Sequence, residues 1–181
     1  ERCKEELTIL GKEVLIPKKI PRISMEEIRK VLKEKGKEIP EDEDLDAEAE
    51  RMLSEYVKEK YSEEFVFATD YPFNKRPFYT MKSSENSKGT MGTRSFDLIY
   101  NGVEIATGSQ REHRLDILRK QAKEKGLNLS EMPDYEKIFR YGCPPHGGVG
   151  FGLDRWAEKI LKLDNVREAV LLPRDPERIK P

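Results

Sequence analysis

The dipeptide Asn101-Gly102 restricts the fold more than any other feature of this chain. It lies between two segments in which apolar and polar residues alternate, and this combination is the strongest short signal for a two-residue β-hairpin. Residues 94–100 and 103–108 are therefore predicted to be antiparallel strands. A regular two-residue turn would pair Asp97 with Ala106.

The alternation in this hairpin places Asp97 and Glu104 on the same face. The opposite face is predicted to be core and carries Phe96, Leu98, Val103 and Ile105. Two neighbouring carboxylates repel each other unless a proton or a cation lies between them, so a divalent metal site is one interpretation. The alternative is a solvated polar face whose acids form salt bridges with nearby Lys and Arg side chains.

The second strand of the hairpin leads through Gly108 towards Arg111. A helix is predicted from about Gln110 to Gly126, which would place Arg111 at the helix start. An arginine in that position can bind a carboxylate with two parallel hydrogen bonds. The alternative is an ordinary surface arginine.

A second informative segment alternates glycine with apolar residues from Gly147 to Gly152 and then opens a helix predicted over 153–163. Gly148, Gly150 and Gly152 share one face of this predicted strand. A glycine face indicates that something flat approaches the backbone closely. A purine with the guanidinium of Arg155 stacked on it fits this geometry, and so does another element packed on bare backbone.

The remaining patterns define the fold class. Ser24 to Glu27 forms a capping box that opens a helix, and further helices are predicted over 47–61 and 133–141. Strands are predicted over 65–68, 77–81 and 169–172, with a polar, mobile loop at 82–92. Antiparallel strands interrupted by helices predict an α+β fold, with an antiparallel sheet flanked by helices.

Composition and cysteine content bear on the partners and on the cellular compartment. The chain has 34 Lys and Arg against 35 Asp and Glu, so the net charge of −1 gives no general affinity for nucleic acid, although a local basic patch would suffice for binding. Cys3 and Cys143 match no metal spacing and predict a reducing compartment. The absence of a signal peptide and of a membrane-length apolar run predicts a cytoplasmic protein with no membrane partner.

Several segments, taken in order, resemble class II aminoacyl-tRNA synthetases. Residues 150–155 resemble the third motif of that class, although Asp154 stands where many members have Glu. Within the class, the chain is most similar to archaeal-type aspartyl-tRNA synthetases. The segments that carry this similarity are Arg76 to Met81, Ser95 to Leu98, Gly102 to Ile105, Gly108 to Arg111, Tyr141 to Gly147, and the ending Leu172 to Pro181.

The resemblance implies specific roles. It implies that Asp97, Glu104 and Thr107 hold Mg²⁺, with Glu104 also contacting ATP, and that Thr107 lies near the amino-acid substrate where many relatives have Ser. Arg111 would bind the side-chain carboxylate of aspartate. The ATP contacts would come from the third motif, namely Gly152, Leu153, Asp154 and Arg155, with Arg155 stacked on the adenine.

The resemblance also implies a larger protein. The first and second motifs of the class, and a barrel that reads the tRNA anticodon, should lie before Glu1. Residues 1–63 are then a helical lead-in between the second and third motifs, and residues 64–181 are the C-terminal part of the catalytic core. We expect the full protein to be a homodimer that uses ATP, aspartate and tRNA, and the isolated chain to be inactive.

Four other functions remain open from the sequence. An asparaginyl-tRNA synthetase shares the segment Gly108 to Glu112, and a non-discriminating enzyme would charge both tRNAs. A synthetase-like asparagine synthetase would make the same adenylate and pass it to ammonia. A non-catalytic paralogue would keep the fold for binding or regulation.

Overall fold

The structure is a computed structural model that describes residues 2–14, 16–86 and 88–180. Glu1 and Leu15 in the predicted helical lead-in, Ser87 in the predicted loop, and Pro181 in the ending that carries part of the resemblance lie outside these residues. The strands are β1 (Arg22–Ser24), β2 (Phe65–Thr69), β3 (Lys82–Glu85), β4 (Met91–Thr93), β5 (Ser95–Tyr100), β6 (Val103–Gln110) and β7 (Gly147–Phe151). The helices are α1 (Lys4–Ile9), α2 (Met25–Glu34), α3 (Ala47–Tyr61), α4 (Leu115–Glu124), α5 (Pro133–Arg140) and α6 (Leu153–Leu161).

A five-stranded sheet in the order β1-β2-β5-β6-β7 forms the centre of the fold. The pair β1–β2 is parallel and the other three pairs are antiparallel. Helices flank this sheet, so the predicted α+β class is confirmed. Strands β3 and β4 form a separate two-stranded sheet.

Helices α2 and α3 cover one face of the sheet. The predicted capping box at Ser24 opens α2, and Asp46 caps α3 by accepting the backbone N–H of Ala49. The apolar sides of both helices pack on strands β2 and β5. The buried side chains of this cluster include Ile28, Leu32, Leu53, Val57, Val66 and Ile99.

The opposite face carries a second core, in which Phe65, Leu98 and Ile105 pack with Trp156 of α6. The prediction that only this face is core was therefore wrong. Ile99 shares a face with the two acids and is completely buried, because the apolar sides of α2 and α3 cover that part of the sheet. The acids lie beside a core and not on an open polar surface.

The hairpin between β5 and β6 has the predicted turn, with positive φ of 46° at Asn101 and 78° at Gly102. The predicted pairing of Asp97 with Ala106 was wrong. A bulge makes Ile105 an extra residue, so Asp97 pairs with Thr107. The apolar–polar alternation persists through a one-residue bulge, and the sequence pattern therefore did not reveal it.

Two predictions for residues 77–92 were wrong. Residues 77–81 form a turn instead of a strand, because Pro77 has no N–H and its carbonyl accepts the N–H of Thr80 at 3.0 Å. The segment predicted as a polar loop contains β3 and β4. These short strands are polar along most of their length, so they show no apolar alternation.

Two further boundaries differ from prediction. Helix α4 begins at Leu115 and not near Gln110, because β6 continues to Gln110 and the next residue still bridges to Thr80. The predicted strand at 169–172 was also wrong. Within the described part of the chain no strand lies beside it, and Leu171 is 93% exposed after a single 3-10 turn at Val166–Ala169.

The proposed boundary after residue 63 falls between α3 and β2. Residues before it supply β1 to the main sheet and two helices to its core. Cys3 and Cys143 are both free thiols. Over the described residues, no helix has the length and apolar character needed to cross a membrane.

Candidate active site

The bulge in β6 brings three predicted site residues to one face of the sheet. Because Ile105 is the extra residue, Thr107 pairs with Asp97 and Glu104 pairs with Ile99. Asp97, Glu104 and Thr107 therefore lie on the same side. In a hairpin without the bulge, Thr107 would point to the opposite face.

Asp97 is buried and bound by the guanidinium of Arg76. Nη1 donates to Oδ1 at 3.1 Å and Nη2 donates to Oδ2 at 2.6 Å. The same Nη1 donates to Oγ1 of Thr107 at 3.2 Å. Beneath the guanidinium lies the ring of Tyr71, whose pKa is raised by burial and by the negative charge of Asp97.

Glu104 is the second carboxylate of the pair. Burial and the charge of Asp97 raise its pKa, while Arg155 and Arg76 act in the opposite direction. Its backbone N–H donates to Oε2 of Glu50 in α3 at 3.3 Å. Burial raises the pKa of Glu50 to about 7, with a contribution from the charges of Glu104 and Asp97. This corner of the site therefore has an excess of negative charge.

This excess fits a divalent cation, because a cation relieves the repulsion that raises these pKa values. Among the described residues there is no group of three or more His, Cys, Asp or Glu side chains arranged to hold a metal. Mg²⁺ does not require such a cage, since it keeps several waters and uses one or two carboxylates together with substrate phosphates. The carboxylates of Glu104 and Asp97 and the hydroxyl of Thr107 supply that kind of donor set.

Arg111 lines a cavity of about 290 Å³ that also contains Thr107, Ser109 and Arg76. Its Nη1 donates to Oγ of Ser109 at 2.6 Å, and its guanidinium carbon lies 4.6 Å from the ring centre of Tyr79. No carboxylate pairs with Arg111 in the part of the chain that the structure describes. The prediction that Arg111 stands at a helix start was wrong, because it lies in extended chain between β6 and α4.

Strand β7 lies next to the guanidinium of Arg111. A Cβ at Gly148 would lie 3.0 Å from Nη2 of Arg111, so a side chain there would displace the guanidinium. The nearest atoms to a Cβ at Gly150 and at Gly152 would be 3.8 Å and 3.5 Å away. Packing within this chain therefore explains the glycine at 148 better than those at 150 and 152.

Arg155 extends from the first turn of α6 to the β6 bulge. Its Nη1 donates to the carbonyl oxygen of Glu104 at 2.9 Å, and its side chain is exposed. The N–H of Gly152 donates to the carbonyl oxygen of Ile105 at 3.0 Å. These bonds attach the predicted ATP segment to the strand that carries Glu104. Leu153 and Asp154, the other two residues of that segment, are exposed.

Sequence reasoning missed two groups of this site. Arg76 begins one of the segments that carry the resemblance, but no role is predicted for it. Glu50 is predicted only as a residue of a helix. Asp97 was predicted on the face away from the core, so a buried carboxylate in need of a cation partner was not expected. No sequence signal pointed to Arg76, because Arg76 and Asp97 are 21 residues apart.

With the geometry established, comparison with known proteins gives the family. The family model described as tRNA synthetases class II (D, K and N) matches residues 1–176. The chain belongs to this family.

Two curated sequence relatives are aspartate–tRNA ligases. The chain is 46% identical over its whole length to the aspartate–tRNA(Asp) ligase of Thermococcus kodakarensis, and covers 41% of that protein. It is 46% identical to the aspartate–tRNA(Asp/Asn) ligase of Aeropyrum pernix, over 90% of the chain and 36% of the relative.

A solved structure agrees with the sequence relatives. The aspartyl-tRNA synthetase of Entamoeba histolytica superimposes with a TM-score of 0.85 at 35% identity, over 93% of this chain and 34% of that one. The chain therefore spans about two fifths of the length of the curated relatives that it matches.

Proposed function

We propose that this chain forms the C-terminal part of the catalytic domain of an aspartate–tRNA ligase. Such an enzyme condenses aspartate with ATP to give aspartyl-adenylate and pyrophosphate, and then transfers the aspartyl group to tRNA. The observation that carries this proposal is Arg111, a guanidinium that lines a cavity with no carboxylate partner among the described residues.

Arg111 suits the side chain of aspartate. A carboxylate offers two charged acceptors in the geometry of the guanidinium fork, whereas an amide offers one acceptor and one donor. The aromatic ring of Tyr79 and the backbone of Gly148 hold the plane of the guanidinium. The site is thus prepared before the substrate enters, which reduces the cost of binding.

The neighbouring groups suit the phosphates of ATP. Glu104, Thr107 and Asp97 would hold Mg²⁺, which supplies charge neutralisation on the phosphates when bound. The segment 152–155 would contact ATP, with the exposed guanidinium of Arg155 stacked on the adenine. Arg155 is anchored on the carbonyl of Glu104, so the adenine and phosphate subsites share one strand.

The reaction itself needs little proton transfer. The α-carboxylate of aspartate attacks the α-phosphorus of ATP, a P–O bond forms, and the bond to pyrophosphate breaks. In-line positioning and stabilisation of developing charge supply most of the catalysis in such a step. A cluster of arginines and carboxylates without a general base fits this chemistry.

The remaining features of the family complete the proposal. Residues 1–63 are a lead-in between the second and third motifs of the class, and residues 64–181 belong to the catalytic core. The whole enzyme is a cytoplasmic homodimer that recognises tRNA through other parts of the protein. These features rest on the family and on the share of the relatives that this chain covers.

A second candidate is a non-discriminating ligase that charges both tRNA(Asp) and tRNA(Asn) with aspartate. The relative from Aeropyrum pernix, named as an Asp/Asn ligase, favours it. Both candidates require the same aspartate site. Charging of the two purified tRNAs with labelled aspartate separates them.

Replacement of Arg111 tests the proposal directly. In an enzyme of the relatives' length, Arg111→Leu should abolish aspartate-dependent ATP–pyrophosphate exchange, because the carboxylate loses its cationic partner. Arg94→Leu is a matched control, since Arg94 is exposed and, among the described residues, its side chain donates one hydrogen bond, to the amide oxygen of Gln110. Exchange that survives the change at Arg111, or is lost equally in the control, would contradict the assigned role.

A further inference from the structure

We infer that Arg76 is a positioning residue that neutralises Asp97 and orients Thr107, and thereby leaves Glu104 as the carboxylate that binds the cation most strongly. This inference rests on the proposed function for its biological setting. It concerns a residue of the turn before β3 that has no role in the proposal above.

The geometry of Arg76 is that of a fork-to-fork ion pair. Two nitrogens bind the two oxygens of Asp97 at 3.1 Å and 2.6 Å, and the Asp97 side chain is 5% exposed. Paired charges in a buried place have a strong preference for staying together, because separation leaves an uncompensated charge. Asp97 therefore contributes little net negative charge to the face that it shares with Glu104.

Arg76 also sets the orientation of Thr107. Nη1 bridges Oδ1 of Asp97 and Oγ1 of Thr107, which are cross-strand partners in β5 and β6. Because an arginine only donates hydrogen bonds, Oγ1 must accept this one. The hydroxyl proton and the remaining lone pair of Thr107 are then available to the cavity that it lines.

The position of Arg76 is fixed by an aromatic ring and by the turn that precedes it. Its guanidinium carbon lies 3.8 Å from the ring centre of Tyr71. It directly follows a 3-10 turn, Phe73–Lys75, whose carbonyl oxygens at Phe73 and Asn74 accept hydrogen bonds from Nζ of Lys125 at 2.8 Å and 2.7 Å. A lysine beyond α4 thus fixes the turn, and the turn fixes the arginine.

The electrostatic consequence can be measured. Loss of the Arg76 charge would return a full negative charge to Asp97 beside Glu104. A divalent ion would then bind more tightly, but in a place shared by two carboxylates and with Thr107 released. A purely structural arginine would instead change stability and leave cation affinity unchanged.

The test is Mn²⁺ binding to the protein without ATP, amino acid or tRNA, with free Mn²⁺ measured by electron paramagnetic resonance. We expect Arg76→Gln to tighten Mn²⁺ binding by about tenfold, as one uncompensated charge a few ångströms away would do. The double change Arg76→Gln with Asp97→Asn should return the affinity to near the wild-type value. Arg167→Gln, which breaks the ion pair with Asp175, is the matched control and should have no effect.

Three results would overturn the inference. They are an unchanged or weaker affinity in a folded Arg76→Gln variant, a gain that persists in the double variant, and a lack of Mn²⁺ binding in every protein. Should Arg76→Gln not fold, Arg76→Lys replaces it. The lysine keeps the charge and loses the fork, so Mn²⁺ affinity should stay near wild type while kcat for adenylate formation falls. Tighter Mn²⁺ binding by the Arg76→Lys variant, or an unchanged kcat, would also contradict the inference.

These binding data do not depend on which amino acid is activated. Failure of the aspartate assignment leaves the Mn²⁺ result intact. Failure of the Mn²⁺ result leaves aspartate activation intact.

Discussion

Among the described residues, the side chain of Arg155 makes one hydrogen bond, from Nη1 to the carbonyl oxygen of Glu104. Its side chain is exposed, and a planar cation in that position can stack on an aromatic ring. Such stacking contributes about 0.5–2 kcal/mol. Arg155→Ala should therefore raise the ATP concentration needed for half-maximal exchange by roughly twofold to thirtyfold.

The requirement for aspartate should change much less in Arg155→Ala, because Arg155 does not line the cavity that contains Arg111. Steady-state exchange with each substrate varied in turn measures both requirements. Arg155→Lys serves as the control for charge without a planar fork, and should give an intermediate value. Equal shifts for ATP and aspartate would rule out the stacking role.

The positions of the predicted site residues are observed in the structure, whereas their functional roles stay predictions. Arg111, Arg155 and Glu104 were identified by resemblance, and the structure places each on or beside β6 and β7. Asp97 was correctly placed on the same face as Glu104. Its partner Arg76 was not found, because ion pairs between distant residues leave no periodic signal in a sequence.

At the scale of elements, the hairpin depends on a glycine that faces an aromatic ring. A Cβ at Gly108 would lie 2.5 Å from Cζ of Phe96 and 3.0 Å from the carbonyl oxygen of Gly148. Gly108→Ala should therefore destabilise the protein by about 1–3 kcal/mol, the usual cost of overpacking. Urea unfolding followed by circular dichroism measures this change.

Gly150→Ala is the matched control for Gly108→Ala. Gly150 lies on the adjacent strand, and a Cβ there would make an ordinary contact, 3.8 Å from Cγ2 of Thr107. Its free energy of unfolding should stay within about 1 kcal/mol of wild type, since alanine in a strand restricts the unfolded chain. Equal losses in both variants would show that Phe96 does not set the constraint at 108.

Glu50 in helix α3 makes the stability of the folded protein depend on pH. Its pKa rises from 4.5 to about 7 on folding, so the folded protein binds the proton more tightly than the unfolded chain. Wild-type stability attributable to Glu50 is thus fully present below pH 4.5 and is lost as the pH rises through about 7. The Glu50→Gln variant has no ionisable carboxyl at this position, so it should not lose this stability as the pH rises.

Glu50→Gln should be more stable than wild type by about 1–3 kcal/mol at about pH 8, and should show no gain at about pH 4. The lower part of this range allows for partial solvent exposure of the carboxyl. Urea unfolding at both pH values with EDTA present measures the difference. Glu55→Gln, at an exposed position of the same helix, is the control. A gain that is independent of pH would show that ionisation of Glu50 is not the cause.

Elements with strong local signals were predicted well. The capping box of α2, the Asn-Gly turn and the glycine-spaced β7 each arise from a local physical requirement. The errors arose where pairing decides the outcome. Residues 77–81 and 169–172 are apolar enough for strands, but the first segment is turned by Pro77 and the second has no partner strand among the described residues.

The bulge at Ile105 shows the same limit and had the largest functional consequence. Sequence alternation correctly placed Asp97 and Glu104 on one face, yet the regular register would have turned Thr107 away from them. Only the three-dimensional pairing with β5 shows that these three groups converge. Long-range register, and not composition, completes the candidate site.

At the scale of the whole molecule, the five-stranded sheet and the cores on its two faces support a site that has two parts. One part is the cavity with Arg111, and the other is the acidic corner with Glu104 and Glu50. Strand β6 connects them, since it carries Glu104 and Thr107 and leads directly into Arg111. Under the proposed function, the amino acid and the phosphates would therefore meet along one strand.

The central claim is that the guanidinium of Arg111 selects aspartate. With asparagine bound, an amide NH₂ would face a guanidinium N–H, two donors with no acceptor between them. An unpaired polar group in a closed site costs about 1–3 kcal/mol, and more where charge is involved. Discrimination of about fivefold to 150-fold or more follows for the activation step.

Parallel ATP–pyrophosphate exchange with aspartate and with asparagine, on an enzyme of the relatives' length, tests this claim most directly. The ratio of kcat/KM for the two amino acids is the quantity to measure. We predict strong exchange with aspartate and little with asparagine, whichever tRNA is charged afterwards. A higher kcat/KM for asparagine would contradict the claim and would assign the site to an asparaginyl-tRNA synthetase.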